Sequence, residues 1–167
     1  MRLTKNFTLS ELTKSNTALR LGIDNTPTKE GIIKLRLYAT EILQPLRDVL
    51  GAIRITSGYR SPQLSEAIGS SSNSQHCRYE ACDMQYVKRN KMDNLKIYNA
   101  LIDLDIDYDQ CILEFGNPAP TLEKDTGYPS WVHLSWKITD NRRQTLVAYK
   151  DDNNKTKYRP LIEYKSL

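Results

Sequence analysis

The sequence predicts an α+β fold, on the order and size of its signals. Helical periodicity occupies most of the first fifty residues, and short alternating β-type runs dominate the rest. At 167 residues and 39% hydrophobic content, the chain is long enough to bury one core. The expected architecture is therefore a small single domain with N-terminal helices packed on a mainly antiparallel sheet. Residues 1–140 would form its body, and residues 141–167 a C-terminal strand and basic tail of the same domain.

The elements follow in order. Thr8-Leu9-Ser10-Glu11 fits a capping box and starts a short helix. Asn25-Thr26-Pro27 opens a second helix, with Pro27 at its first position. Leu35, Tyr38, Ala39, Ile42, Leu43, Leu46, Val49 and Leu50 give that helix one buried stripe, which Pro45 should kink and Gly51 should end. Ile53–Thr56 alternates as a strand, and Ser57-Gly58-Tyr59-Arg60-Ser61-Pro62 turns into a short helix starting at Pro62. After a small-residue loop at Gly69–Asn73, strands are expected at Ala81–Val87, Gln110–Phe115, Trp131–Ile138 and Thr145–Tyr149, with a helix at Met92–Leu104. Asn117–Pro129 reads as a loop.

Composition narrows the function classes. No apolar run is long enough to cross a bilayer, so no membrane insertion is expected. Nor does the start, Met1-Arg2-Leu3-Thr4-Lys5-Asn6, carry the apolar segment of a secretory signal; cytoplasmic synthesis is expected. Three cysteines, Cys77, Cys82 and Cys111, form no C-x-x-C pair, which argues against a disulfide framework or a zinc knuckle. The last 31 residues hold eight basic side chains against four acidic ones, and so the whole +4 excess. Interspersed acids break the run and no arginine–aromatic pattern accompanies it, so it reads as a mixed-charge surface, and no nucleic-acid partner is expected.

Both histidines of the chain stand where a ligand could stand. His76 follows a Ser/Asn loop; Asp83 lies seven residues on, sharing a strand face with Ala81 and Gln85; His133 shares its strand face with Trp131 and Ser135. Two imidazoles and one carboxylate, with a fourth position left to water, is a composition known for catalytic zinc. Spacing alone leaves open that either histidine is a structural or surface residue.

Three motifs in order, Ser57-Gly58-Tyr59-Arg60-Ser61-Pro62, Ser74-Gln75-His76 with Asp83, and Trp131-Val132-His133, resemble the zinc D-alanyl-D-alanine carboxypeptidase and L-alanyl-D-glutamate endopeptidase family of bacteria and bacteriophages. The resemblance spans roughly residues 6–138 and makes residues 1–140 a zinc peptidase domain. It implies one Zn2+ per chain, held by His76, Asp83 and His133. It implies that Arg60 contacts substrate and stabilises negative charge on the carbonyl oxygen, as a fixed guanidinium can; an arginine that only staples its turn is the competing reading. Ser74 matches the serine two residues before the first ligand and is expected to shape the loop and line the substrate site with Tyr128. Two positions depart from the family pattern: Tyr79 replaces a usual glycine, and Ser130 stands where many members place a catalytic glutamate three residues before the second histidine.

A general base is still needed to move a proton from water to the leaving amine. Glu114 is the candidate, because in Cys111-Ile112-Leu113-Glu114-Phe115 its apolar neighbours leave a carboxylate that needs a partner or a function. If its strand pairs with that of His133, the two side chains could meet across the ladder. The competing reading has Glu114 holding a zinc-ligating imidazole; Glu80 and Glu123 are the other carboxylates in reach of the argument. Asp103, Asp105, Asp107 and Glu114 imitate calcium-loop spacing, but Tyr108 occupies the position that needs glycine.

The resemblance thus implies a monomeric metallopeptidase that hydrolyses an amide in peptidoglycan stem peptides. It fits a phage or prophage lysis enzyme (endolysin) acting at the cell wall after release through a pore, or carried on a virion. The alternative is a non-catalytic zinc-containing cell-wall-binding or virion structural protein.

Overall fold

The computed structural model describes residues 1–115 and 129–161. In α1 (Leu9–Thr13) the Thr8 side chain accepts from the Glu11 amide while the Glu11 carboxylate accepts from the Thr8 amide, the reciprocal cap expected. α2 (Asn16–Leu21) lies where periodicity predicts nothing. Ser15 caps it and only Ala18 is buried, so six residues leave no apolar stripe to read.

The long helix begins later than predicted. Thr28, not Asn25, is the N-cap of α3 (Lys29–Tyr38), and Pro27 stands outside the helix. Ala39–Leu43 winds as a π-helical turn, in which the Gln44 amide reaches back to the Ala39 carbonyl, before α4 (Gln44–Leu50) runs on to Gly51. Pro45 has no amide proton, and the wider turn ahead of it accommodates that loss. Leu35, Tyr38, Ala39, Ile42, Leu43 and Leu46 are buried as expected, but Val49 is 60% exposed, so the stripe stops a turn early.

β1 (Arg54–Ser57) leads through a turn into α5 (Pro62–Ala67), capped by Ser61. β2 (Ala81–Gln85) ends before Val87, because β3 (Val87–Lys88) and β4 (Lys91–Met92) form a separate hairpin through Arg89 and Asn90, both at positive φ. That hairpin also delays the next helix, α6, to Leu95–Asp103. β5 (Gln110–Glu114), β6 (Trp131–Ser135), β7 (Gln144–Lys150) and β8 (Thr156–Pro160) complete a sheet in the order β1-β2-β6-β5-β7-β8, antiparallel except for β5 against β7. The predicted tail therefore contains a strand: β8 pairs with β7 along its length.

Alternation sorts the sheet into two faces. Cys82, Met84, Cys111, Leu113, Val132, Leu134 and Val147 join Leu35, Tyr38, Leu43, Ile97 and Leu101 in one apolar core. At its centre the buried Tyr38 hydroxyl donates to the Leu134 carbonyl at 2.7 Å. The opposite face, with Asp83, Ile112, Glu114, His133 and Leu146, lines an open cavity of about 590 Å3.

Candidate active site

The turn after β1 is where four parts of the molecule meet. A Cβ on Gly58 would collide with the Leu12 carbonyl, so only glycine lets this turn press against the end of α1, where the Tyr59 amide donates to Leu12 at 2.7 Å. The Gly58 carbonyl accepts from His76 Nδ1 at 2.7 Å. Asn25, expected to open a helix, instead ties the turn down: its side-chain amide donates to the Thr13 and Tyr59 carbonyls and its oxygen accepts from the Ser61 amide.

Arg60, next along the turn, donates to Asp83 Oδ2 at 3.3 Å, and its Nε is buried without a hydrogen-bond partner among the described residues. The guanidinium braces the carboxylate and borders the cavity. Ser74 Oγ accepts from the His76 amide at 3.3 Å, which shapes the loop just ahead of the histidine.

Asp83 lies directly opposite His133 in the β2–β6 ladder, and the loop carrying His76 folds over this pair. Asp83 Oδ1 is 2.9 Å from His133 Nδ1 and 3.3 Å from His76 Nε2, and the two ring nitrogens are 3.2 Å apart. Ligands of a tetrahedral zinc with bonds of about 2.0–2.1 Å lie about 3.3 Å from each other, so these three donors fit that ion. Tautomer chemistry agrees. Donation from Nδ1 to Gly58 leaves the Nε2 of a neutral His76 bearing a lone pair, aimed at a carboxylate oxygen. Two acceptors at that distance could hold a cation between them.

Electrostatics favours the ligand forms. Burial keeps the His76 ring neutral by lowering its pKa. Burial alone would raise the Asp83 carboxyl, but the adjoining His76 and His133 rings, when protonated, override it by charge and hydrogen bonding and hold the group well below the usual carboxylate range. Cys82, on the opposite strand face, is fully buried and its thiol is pushed up by burial, an inert packing residue.

Glu114 shares the cavity, 8% exposed. The register places it opposite Trp131, with Ile112 opposite His133, so Glu114 and His133 share a face as diagonal neighbours rather than a facing pair. Burial raises its carboxyl to about 7, against the lowering influence of the His133 charge. Ser130 does different work. Its hydroxyl donates to the Phe115 carbonyl, its amide to Glu114 O at 2.7 Å, and its own carbonyl accepts from Asn94 and Gln85. It is a clamp between β5 and β6. Glu80 is ion-paired with Arg78 at 2.9 Å. Tyr128 and Glu123 lie outside the described residues.

The Tyr79 departure takes an unexpected form. Its φ of 65° is the left-handed conformation a glycine would have held. The ring stacks on Tyr59 at 4.3 Å and its hydroxyl accepts from the Thr28 amide at 3.2 Å. Gly31 leaves room for it, since a Cβ there would strike the Tyr79 ring. Packing holds a backbone that the side chain disfavours.

One anchor escapes sequence reasoning. Asp109, 1% exposed, binds Arg142 through Nε at 2.9 Å and Nη2 at 2.5 Å, Lys137 at 3.2 Å, and the side chain of Gln75 at 2.8 Å. These contacts pull its carboxyl well below the ordinary range despite burial. Gln75 immediately precedes His76, so Asp109 steadies the ligand loop from β5's leading end. No local pattern marks it, because its partners come from two distant segments. The calcium-like spacing dissolves here: Asp105 and Asp107 pair with Arg143, while Glu114 faces the cavity.

Comparison with known proteins gives one family: the model described as Peptidase M15 matches residues 5–104. No curated protein matches the chain.

Proposed function

The chain belongs to the peptidase M15 family, and from that premise we propose a zinc metallopeptidase that hydrolyses an amide bond in peptidoglycan stem peptides, of D,D-carboxypeptidase or L-alanyl-D-glutamate endopeptidase type. Membership makes the chain a hydrolase of peptide bonds with peptidoglycan as its general substrate. The finer reading rests on one observation, the three donor atoms of His76, Asp83 and His133 at 2.9–3.3 Å from one another in a cavity that also holds Glu114.

In this reading His76, Asp83 and His133 hold one zinc, which when bound supplies Lewis-acid polarisation of the scissile carbonyl and acidifies the attacking water. Glu114 takes the proton from that water and returns it to the leaving amine; its raised pKa suits both transfers near neutral pH. Arg60 braces Asp83 and presents cationic charge to substrate oxygen. Ser74 lines the cavity and keeps the loop in shape. Residues 1–140 carry this site and residues 141–161 extend its sheet, one domain in this reading. The setting is phage or prophage lysis at the cell wall.

Metal analysis of protein purified without chelator, followed by mass spectrometry of digested peptidoglycan, tests the proposal. About one zinc per chain and stem-peptide fragments cut at a single bond type are expected. Protein that contains no zinc and gains no activity on adding it overturns the reading.

A further inference from the structure

The catalytic cavity does not stop at the metal ligands and Glu114. Because directly paired residues share a face, the register gives two rows across the sheet: Asp83-His133-Ile112-Leu146-Pro160 and Trp131-Glu114-Ala148-Tyr158. The first begins at two of the ligand residues. The second passes Glu114, crosses Ala148, which is small and fully buried, and ends on Tyr158, which lines the cavity and is 54% exposed.

Tyr158 lines the same cavity as His76, His133 and Glu114, together with Leu146 and Arg142. Burial and the Glu114 charge both raise the Tyr158 pKa, so its phenol stays a neutral hydrogen-bonding group. Arg142 is held in place by Asp109 and remains 51% exposed, a fixed cation on the same wall. Arg60 follows β1, at one edge of the sheet, and Tyr158 lies on β8, at the other. Three strand spacings separate β6 from β8, about 14 Å, the length of roughly four extended residues. A tyrosine side chain that lines the cavity shared with His133 spans part of that distance, which leaves two or three.

We propose that Tyr158, with Arg142 beside it, forms a distal substrate subsite that packs against a carboxylate-bearing residue of the stem peptide two to three residues from the scissile bond. An exposed aromatic ring at the mouth of a reacting cavity offers a large face at little cost in conformational freedom, and the neighbouring guanidinium supplies the charge complement. The inference rests on the proposed peptidase reading and names the substrate part that β7 and β8 recognise.

Its signature is dependence on substrate length. With zinc-loaded enzyme, Tyr158→Ala should raise KM for a stem pentapeptide about tenfold more than KM for a dipeptide containing the same scissile bond, the loss typical of a truncated aromatic contact. Tyr158→Phe should keep the pentapeptide KM within about threefold, since the ring remains. Equal effects of Tyr158→Ala on both substrates, an effect on kcat alone, or a phenylalanine variant as weak as the alanine variant overturns the subsite while the peptidase reading stands. Failure of the parent to cleave any stem peptide overturns the peptidase reading and the subsite with it.

Discussion

At the scale of single residues, Glu114 carries the greatest consequence. Its carboxyl sits at the edge of an apolar strand with a raised pKa, and the charged form is the one that accepts a proton. Activity should therefore rise with pH through that group's pKa, and a bound divalent cation should draw the acid limb below about 7. Glu114→Gln should lower kcat by roughly 10²–10⁴-fold and abolish the acid limb, while zinc content stays at that of the parent. Kinetics across pH 5–9 with metal analysis on the same preparations checks this; an unchanged limb in the glutamine variant removes Glu114 as the base. Stability runs the other way. With its folded pKa raised above 4.5, the native state holds the proton longer than the unfolded chain, so this group's contribution to stability falls as pH rises from 4.5 to about 7. His133→Ala tests the metal set separately. It removes one of three donors, and bound zinc should fall to a small fraction of the parent's by atomic absorption, with the fold retained because His133 faces the cavity rather than the core.

At the scale of elements, two supports hold the site from opposite sides. One is the stack of Gly31, Tyr79 and Tyr59, which lets α3 grip the loop between the first two ligands. Gly31→Ala should destabilise the fold by about 1–3 kcal/mol, since the new methyl must displace a ring already held by stacking and a hydrogen bond. Chemical denaturation checks it, and an unchanged midpoint would show that the ring yields freely. The other support is the Asp109 cluster. Removing the carboxylate charge in Asp109→Asn leaves Arg142 and Lys137 without their anion. It should lower stability by about 3 kcal/mol, the low end for a buried pair because both cations are partly in water. The pH sign follows from the depressed pKa. Stability from Asp109 is present above its ordinary value of 3.8 and disappears as pH falls through the lower folded value. Acid titration of the parent against Asp109→Asn, followed by circular dichroism, should show the parent's extra stability vanish only in that acid range.

Across the whole molecule, one face of the sheet builds the core and the other builds the cavity, so apolar packing and chemistry share a backbone while drawing on different side chains. The proposed ligands come from a loop, from β2 and from β6, so a metal held by them would cross-link parts distant in sequence. On the proposed reading zinc binds only the folded arrangement, so excess zinc at a hundredfold above its Kd should stabilise the protein by about 2.7 kcal/mol, and chelator should lower Tm accordingly. Differential scanning calorimetry with and without chelator measures it; coincident melts would show that no ion links these elements. The C-terminal charge excess is spread among structural contacts. Arg142 and Arg143 pair with Asp109, Asp105 and Asp107, and Lys150 lies over the Phe115 ring.

The sequence by itself determined the class of fold and singled out the three side chains, His76, Asp83 and His133, that the structure brings together as a group able to hold a metal. Helix stripes and strand alternation are local periodicities, and the chain holds only two histidines, so few choices were open. It also placed Ser61 and Pro62 correctly at the start of α5, because caps act within one turn. Only the tertiary structure decided what depends on partners far along the chain. Such are the positive φ of Tyr79 held by Tyr59 and Gly31, the grip of Asp109 on Gln75, the turn tied down by Asn25, and the strand that brings Tyr158 to the cavity. The physical reason is the same in each case: a pairing register or a packed ring is set by two segments at once, and neither segment contains the other's half of the contact.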